Sequence, residues 1–314
     1  MRTTPALLAL TAATALALTA CSDPGADTGS SAGSDQSAAA SGATGDVAAF
    51  DVSQIPVNEE IAAMVPDEVK ERGVLRNGAS TDYAPAEYRA SDGQTPVGYE
   101  IDLNKALARV MGLDEGTTTH AVFETIIPAL GTKFDVGMSS FTVTPEREEQ
   151  VNMVAYLEVG SSYAVAAGNP KDFDPADPCG ATIGVQTGTY QQDLATQMSQ
   201  DCEAAGKEAI KVMPLDLQTE VSTKVIGGQY DATLADSPVI GYAVKLANGQ
   251  LEQIGDVIES EPQGIAIAKA DAKLSDAVLA AMKHLQSEGY LEKVLAPYGA
   301  EDFLIDNIEL NPAL

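Results

Sequence analysis

Short apolar segments alternate with amphipathic segments from residue 67 to residue 285 of this chain. The segments that predict strands are 74–78, 121–123, 134–138, 182–185, 210–213, 232–235 and 264–268. The segments that predict helices are 67–72, 100–111, 126–130, 190–198, 219–226 and 274–285. Alternation of this kind indicates parallel βαβ layers rather than an all-β or all-helical protein. Because the pattern occurs twice in series, we predict an α/β protein with two lobes.

The last predicted helix suggests how the lobes are connected. Its apolar residues from Leu274 to Leu285 share one face, and such a helix often returns to pack on the first lobe. A return requires two crossing strands, expected near residues 163–167 and 261–265, which would form a hinge that permits closure. The predicted boundaries are lobe 1 at 47–165, lobe 2 at 166–262, and a return to lobe 1 with a C-terminal helix at 263–314.

The N-terminus carries features of export. Arg2 precedes an apolar run over residues 6–18, too short to span a bilayer as a mature helix, so residues 1–20 are predicted to be a signal peptide. The run ends in Leu-Thr-Ala-Cys, which resembles a bacterial lipobox and implies lipidation of Cys21; the alternative is an ordinary signal peptide with a chance cysteine. Residues 21–46 are mostly small and polar and predict a flexible tether.

Charge and cysteine content restrict the possible partners. The 46 acidic residues outnumber the 18 basic ones and give a net charge of −28, which excludes nucleic acid as a plausible partner. Cys179 and Cys202 remain after Cys21 and predict a disulfide in an oxidising compartment, although two independent buried thiols are the alternative. His120 and His284 are isolated from any Cys/His cluster, so no metal site is predicted.

Five ordered segments resemble the signatures of family 3 solute-binding proteins. They are Gly-Tyr-Glu-Ile-Asp-Leu at 98–103, Leu-Gly-Thr-Lys-Phe-Asp at 130–135, Ser-Ser-Phe-Thr-Val-Thr-Pro-Glu-Arg at 139–147, Gly-Val-Gln-Thr-Gly-Thr at 184–189 and Asp-Ala-Thr-Leu-Ala-Asp at 231–236. The resemblance covers about residues 74–299, and Asp-Pro-Cys-Gly at 177–180 is similar to an actinobacterial subgroup. It implies a periplasmic-binding-protein-like type II fold, an amino acid ligand between the lobes, and delivery to an ABC permease from a lipid anchor on the extracytoplasmic face of the membrane. It implies neither catalysis nor a cofactor.

Arg147 is the leading candidate for the ligand's α-carboxylate. Thr144 suits a helix N-cap and Pro145 the first helical position, so Arg147 falls in the first turn, where the helix dipole disfavours a cation unless an anion lies beside it. The resemblance implies a bidentate bond from this arginine to the carboxylate. The alternative is a surface ion pair with a neighbouring glutamate such as Glu146.

Asp236 follows a predicted strand of the second lobe, and the resemblance implies that it holds the ligand's α-ammonium group. A turn-initiating role before Ser-Pro is the alternative. The resemblance further implies that hydroxyl and backbone groups complete the binding of the carboxylate, with loop and capping roles as the alternative. These residues are Ser140, Thr142 and Thr189, together with Tyr190, which stands where a second threonine is common in the family.

Two aromatic residues match the walls that shield the ligand side chain in the family. They are Tyr83 and Phe123, and core packing is the alternative role. Ser80 stands where binders of basic amino acids carry an acidic residue, which disfavours lysine or arginine, but Asp82 is close enough to weaken that inference.

Two other functions fit the same scaffold. The first is a periplasmic-type dehydratase that uses a cleft carboxylate such as Glu100 or Glu124, and the second is a domain that presents a bound nutrient to a membrane receptor. The chain has no Walker-type loop, no Gly-x-Ser-x-Gly elbow and no His-Glu-x-x-His motif. We therefore expect a binding protein and not an enzyme.

Overall fold

The computed structural model describes residues 47–313. The predicted signal peptide, the predicted lipidation site Cys21 and the predicted tether lie outside these residues. The helices are α1 (Glu59–Met64), α2 (Asp67–Arg72), α3 (Tyr99–Val110), α4 (Pro145–Gln150), α5 (Tyr190–Ala204), α6 (Gln218–Ile226), α7 (Ser237–Leu246), α8 (Ala272–Ser287) and α9 (Tyr290–Leu295). The strands are β1 (Val74–Ala79), β2 (Tyr88–Arg89), β3 (Pro96–Val97), β4 (Glu115–His120), β5 (Val136–Thr142), β6 (Val151–Ala166), β7 (Thr182–Gln186), β8 (Lys211–Leu215), β9 (Ala232–Asp236), β10 (Leu251–Ala268) and β11 (Leu304–Leu310).

One mixed sheet contains most of these strands, in the order β4-β1-β5-β10-β6-β9-β7-β8, with β11 also paired to β6. The pairs β1–β4 and β1–β5 are parallel, as are β7–β8 and β7–β9. We call the part built on β4, β1 and β5 the first half, and the part built on β9, β7 and β8 the second half. Both halves are the βαβ layers that the alternating sequence pattern predicts.

Two long antiparallel strands connect the halves. β6 has 16 residues and β10 has 18, and they pair with each other along most of their length. β10 pairs with β5 of the first half through Gln263–Ile267, whereas β6 pairs with β9 of the second half through Ser161–Ala164. The register between the two long strands shifts around Ile258, between these two sets of pairings. The predicted α/β fold with two lobes and a hinge of two crossing strands is therefore confirmed.

Each half has its own hydrophobic core. The first core includes Leu103, Leu107 and Met282, and the second includes Ile183 and Leu234. Helix α8 buries the apolar face that the sequence predicts and packs in the first core, as expected for the returning helix. The chain then continues beyond the helices into β11, a terminal strand that the sequence analysis did not predict.

The strand predicted over residues 121–123 is wrong. The strand in this region is β4, which precedes it, while a 3-10 turn begins at Phe123. β4 is rich in threonine and lies at the edge of the sheet, with mostly exposed or half-buried side chains. β-branched threonine suits an edge strand without forming the apolar run that marks a buried one, so the apolar residues that follow β4 were misassigned.

The second half contains the predicted disulfide. Cys179 pairs with Cys202 of α5, and the Cα atoms lie 5.6 Å apart. None of the helices within residues 47–313 is long and apolar enough to span a bilayer.

Candidate functional site

A narrow cavity between the two halves contains all eight predicted ligand-binding residues. Its volume is about 10 Å³, roughly enough space for one water molecule. The carboxyl ends of β5, β7 and β9 point toward it, which is where open α/β sheets place their ligands. The residues that line it are Tyr83, Phe123, Ser139, Ser140, Thr142, Arg147, Gln186, Thr189, Tyr190, Gln191 and Asp236.

Arg147 is positioned by the start of α4. The Thr144 hydroxyl accepts a hydrogen bond from the Arg147 backbone N–H at 3.3 Å, so the predicted N-cap is present. The guanidinium donates from Nη1 to the Thr142 carbonyl at 2.7 Å and from Nη2 to the Gly188 carbonyl at 3.1 Å. Because Gly188 belongs to the second half, this side chain touches both halves.

The guanidinium of Arg147 also lies over two aromatic rings, at 5.7 Å from the centroid of Phe123 and 5.5 Å from that of Phe141. Burial lowers the pKa of Arg147 to about 10. Within residues 47–313 no carboxylate lies within 4.0 Å of it, so the predicted alternative of a surface ion pair does not occur in this structure. The result is a half-buried cation that interacts with carbonyl oxygens and ring faces.

Asp236 ends β9 in the second half and is buried. Gln191 donates to its Oδ1 at 2.7 Å, and Gln263 of β10 donates to its Oδ2 at 2.7 Å. The Asp236 backbone N–H donates to the Tyr83 hydroxyl at 3.2 Å, which links the halves. Burial raises the pKa of Asp236 to about 6, although its hydrogen bonds act in the opposite direction.

The predicted hydroxyl groups differ in their contacts. Ser140 adopts a left-handed backbone (φ 54°), with its N–H bonded to Glu100 at 2.8 Å and its hydroxyl 3.2 Å from Glu87. Thr189 caps α5, because its hydroxyl accepts from the Gln192 backbone N–H at 3.2 Å and donates to the Gln186 carbonyl at 2.8 Å. The capping alternative therefore describes the Thr189 hydroxyl, even though the residue lines the cavity.

The aromatic residues form two sides of the cavity. Phe123 stacks on Phe141 with ring centroids 4.6 Å apart, and Tyr83 packs with Ala235 and Ile240 of the second half. The Tyr190 ring lines the cavity, but its hydroxyl donates to Glu259 in β10.

Three lining residues were missed by the sequence analysis, namely Ser139, Gln186 and Gln191. Gln191 could have been predicted from the sequence, because it lies in the first turn of α5 and directly follows the predicted site residues Thr189 and Tyr190. Gln186 donates to the Ser80 hydroxyl at 3.0 Å across the halves, a contact that only the fold reveals. Asp82 also bridges the halves, because it accepts from Ser80 at 2.9 Å and from the Thr219 backbone N–H at 3.4 Å.

Two lobes joined by a hinge of crossing strands, with a polar cavity at the strand ends between them, define the class of type II solute-binding proteins. Residues 75–301 match the bacterial extracellular solute-binding proteins, family 3, and the chain belongs to this family.

The comparisons identify several relatives. The arginine-binding protein ArgT of Corynebacterium glutamicum is 37% identical over 255 residues, which cover 80% of this chain and 83% of the relative. The L-cystine-binding protein TcyJ of Escherichia coli K12 is 26% identical over 229 residues, which cover 72% of this chain and 82% of the relative. Among solved structures, the ancestral amino acid-binding protein AncCDT-1, a precursor of cyclohexadienyl dehydratase, matches with a TM-score of 0.66 and 31% identity over 74% of this chain and 98% of its own.

Proposed function

We propose that this protein binds an L-α-amino acid between its two halves and delivers it to an ABC importer. One observation carries the proposal: Arg147 and Asp236 place a half-buried cation and a buried carboxyl on the same cavity, from opposite halves. An α-amino acid carries the complementary pair of charges on adjacent groups. Its carboxylate would bind Arg147 and its ammonium group would bind Asp236.

Electrostatics explains why such a site favours a zwitterion. Removing a charge from water is costly unless it is paired, and burial disfavours the charged forms of both residues here. A ligand that supplies both counterions offsets both costs at once. A ligand with only one of the two groups would leave the other buried charge unpaired.

Ligand capture would require the halves to separate and close again. A cavity of about 10 Å³ is too small for an amino acid, so the halves must lie farther apart in the ligand-bound form than in the present arrangement. The contacts from Arg147 to Gly188 and from Gln186 to Ser80 join the halves and would break on opening. The two long strands supply the hinge, and a ligand that binds the closed form more tightly shifts the population toward it.

L-arginine is the first candidate ligand. Several relatives are named as arginine-binding proteins, and an ancestral arginine-binding protein bound to arginine matches this chain with a TM-score of 0.66 and 29% identity over 73% of this chain. Ser80 lacks the acidic group expected of a basic amino acid binder, but Asp82 is hydrogen-bonded to it. Asp82 does not line the cavity in this arrangement, so we propose that its carboxylate takes the role of the missing acidic group once the halves rearrange around the ligand.

The proposal includes the location of the protein. Lipidation of Cys21 would hold it at the extracytoplasmic face of the membrane, and residues 21–46 would allow it to reach a permease. The predicted lobe boundaries are part of the same proposal. A ligand-presenting sensor would need the same closing cleft, and co-purification with a permease would distinguish the importer component from it.

The rival enzyme function requires a carboxyl that reaches the ligand. Glu100 contacts Ser140 and Tyr156 and does not line the cavity, while Glu124 lies at the outer mouth of the cleft. Neither position supports proton transfer to a ligand in the cavity.

A thermal-shift screen against the twenty amino acids tests the proposal, because a ligand that binds only the native state raises its stability. We expect a large upward shift with L-arginine, and calorimetry would give its affinity. The absence of a shift with every amino acid, from folded protein free of carried-over ligand, would contradict the proposal.

A further inference from the structure

Two glutamates lie directly beneath the serines of the cavity. Glu87 and Glu100 are both 0% exposed. Within residues 47–313 neither carboxyl has a basic partner within 4.0 Å. Two carboxyl groups buried together without a cation do not both ionise near neutral pH, so at least one of them keeps a proton.

Glu100 has the contacts of a carboxylate. Its Oε2 accepts the backbone N–H of Ser140 at 2.8 Å, and its Oε1 accepts the hydroxyl of Tyr156. A backbone N–H can only donate, so Oε2 must remain an acceptor. Of the two glutamates, Glu100 is therefore better supplied with donors.

Glu87 contacts two serine hydroxyl groups, each placed as a donor to it, and its side chain also hydrogen-bonds with the carboxyl of Glu100. Ser139 Oγ lies 2.8 Å from its Oε1, and Ser140 Oγ lies 3.2 Å from its Oε2. Ser139 Oγ also accepts the backbone N–H of Ser80 at 2.9 Å, which leaves its own hydrogen for Glu87 Oε1. The Ser140 hydroxyl can accept as well as donate, so Glu87 can hold a proton on Oε2 and keep both contacts.

The surroundings favour protonation of Glu87. Burial, followed by the charge of Glu100, raises the pKa of Glu87 well above its ordinary value, and Asp82 adds to the effect. Burial also raises the pKa of Glu100, to about 7, although its hydrogen bonds lower it. The other titratable or charged groups that face the pair or its cavity are Tyr83, Tyr99, Tyr156, Asp236 and Arg147.

We propose that Glu87 is a neutral carboxylic acid that donates from Oε2 to Ser140 Oγ and thereby directs the Ser140 hydroxyl hydrogen into the cavity. There the hydroxyl donates to the carboxylate of the bound amino acid, a step that rests on the proposed function. Glu87 is a positioning residue, since it acts through Ser140 and does not line the cavity. If Glu87 were ionised, it would accept the Ser140 hydrogen, and the ligand would meet an oxygen lone pair in place of a donor.

Infrared difference spectroscopy locates the proton without any ligand. The full chain and its Glu87→Gln variant are compared at pH 7. We expect the wild type to show the carbonyl stretch of a protonated carboxylic acid that is missing from the variant. If the substitution removes only carboxylate bands, Glu87 is ionised and the proposal is overturned.

Titrations with L-arginine test the positioning role. Glu87→Gln keeps a donor toward Ser140, so its affinity should stay within about threefold of the wild type, whereas Glu87→Leu should bind about tenfold more weakly or worse. In a Ser140→Ala background the difference between these two variants should disappear. A folded Glu87→Gln variant as weak as Glu87→Leu would overturn the proposal. If the wild type binds none of the twenty amino acids, the proposed function fails, while the infrared result still decides where the proton lies.

Discussion

Arg147 and Asp236 line the same narrow cavity from opposite halves of the protein, and they form no ion pair with each other. Arg147 is held by carbonyl oxygens and aromatic rings, and Asp236 by two glutamine amides. Each charge is thus fixed in place by neutral groups. This arrangement leaves both charges available to a ligand with two charges of its own.

Acidic pH should weaken ligand binding through Asp236. Burial raises the pKa of this carboxyl to about 6, and the ligand's ammonium group requires the ionised form. Affinity should therefore rise as the pH increases through about 6 and become level above it. Calorimetry between pH 4.5 and pH 8 measures this dependence. The Asp236→Asn variant should bind weakly and lose the change in affinity centred near pH 6, and an equal pH dependence in that variant would contradict the assignment.

The same carboxyl affects the stability of the ligand-free protein in the opposite direction. Its pKa is raised from 3.8 to about 6 on folding, so its contribution to stability is fully present below pH 3.8 and is lost as the pH rises through about 6. The free energy of unfolding of wild type minus that of Asp236→Asn should decrease over this window. A difference that stays constant or increases would contradict the raised pKa.

Substitution of Gly188 should impair closure. A Cβ atom there would lie 2.9 Å from Glu124 Cβ in the opposite half, and the residue has a φ of +78°. We expect Gly188→Ala to weaken ligand binding by about tenfold, a change of about 1.4 kcal/mol.

Gly206 offers a matched control for this substitution. Its φ is +74°, yet nothing lies within 4 Å of the position a Cβ would take. Gly206→Ala therefore adds similar backbone strain without a contact across the cleft. Calorimetry should show unchanged affinity for Gly206→Ala. Equal losses in the two variants would mean that backbone strain alone weakens binding.

The disulfide should stabilise the second half without defining the site. Cys179 and Cys202 are 23 positions apart, and a closed loop of this size contributes about 3 kcal/mol in the chain-entropy model. Replacing both with serine should lower the free energy of unfolding in urea by about that amount. Ligand affinity at low denaturant should remain close to that of the wild type, because neither residue lines the cavity. An unchanged free energy of unfolding would contradict this role.

The sequence predicted the parts of the fold that local periodicity determines. Leu103 and Leu107 mark one face of α3, and the residues of α8 mark another, because a helix repeats its buried face every three to four residues. β4 was missed because an edge strand needs few apolar residues. β11 was missed because its position depends on pairing with β6, which lies far away in sequence.

The site residues divide in the same way into those that local sequence predicts and those whose contacts depend on the fold. Arg147 and Asp236 lie in segments that resemble a family signature and follow local capping and turn patterns. The residues that hydrogen-bond to them show no such local pattern. Gln263 reaches Asp236 only because β10 crosses between the halves. The contact between Glu87 and Ser140 joins residues that are 53 positions apart, and no local sequence pattern predicts it.

Calorimetric titration of wild type and Arg147→Met with L-arginine tests the central claim most directly. Arg109→Met is the control, because Arg109 donates to the Ile55 carbonyl at 3.0 Å and does not line the cavity. Loss of a buried charge partner costs about 2 to 5 kcal/mol, so Arg147→Met should bind about thirtyfold to several thousandfold more weakly, with Arg109→Met unchanged. Equal affinity in wild type and a folded Arg147→Met variant would show that this arginine does not hold the ligand's carboxylate.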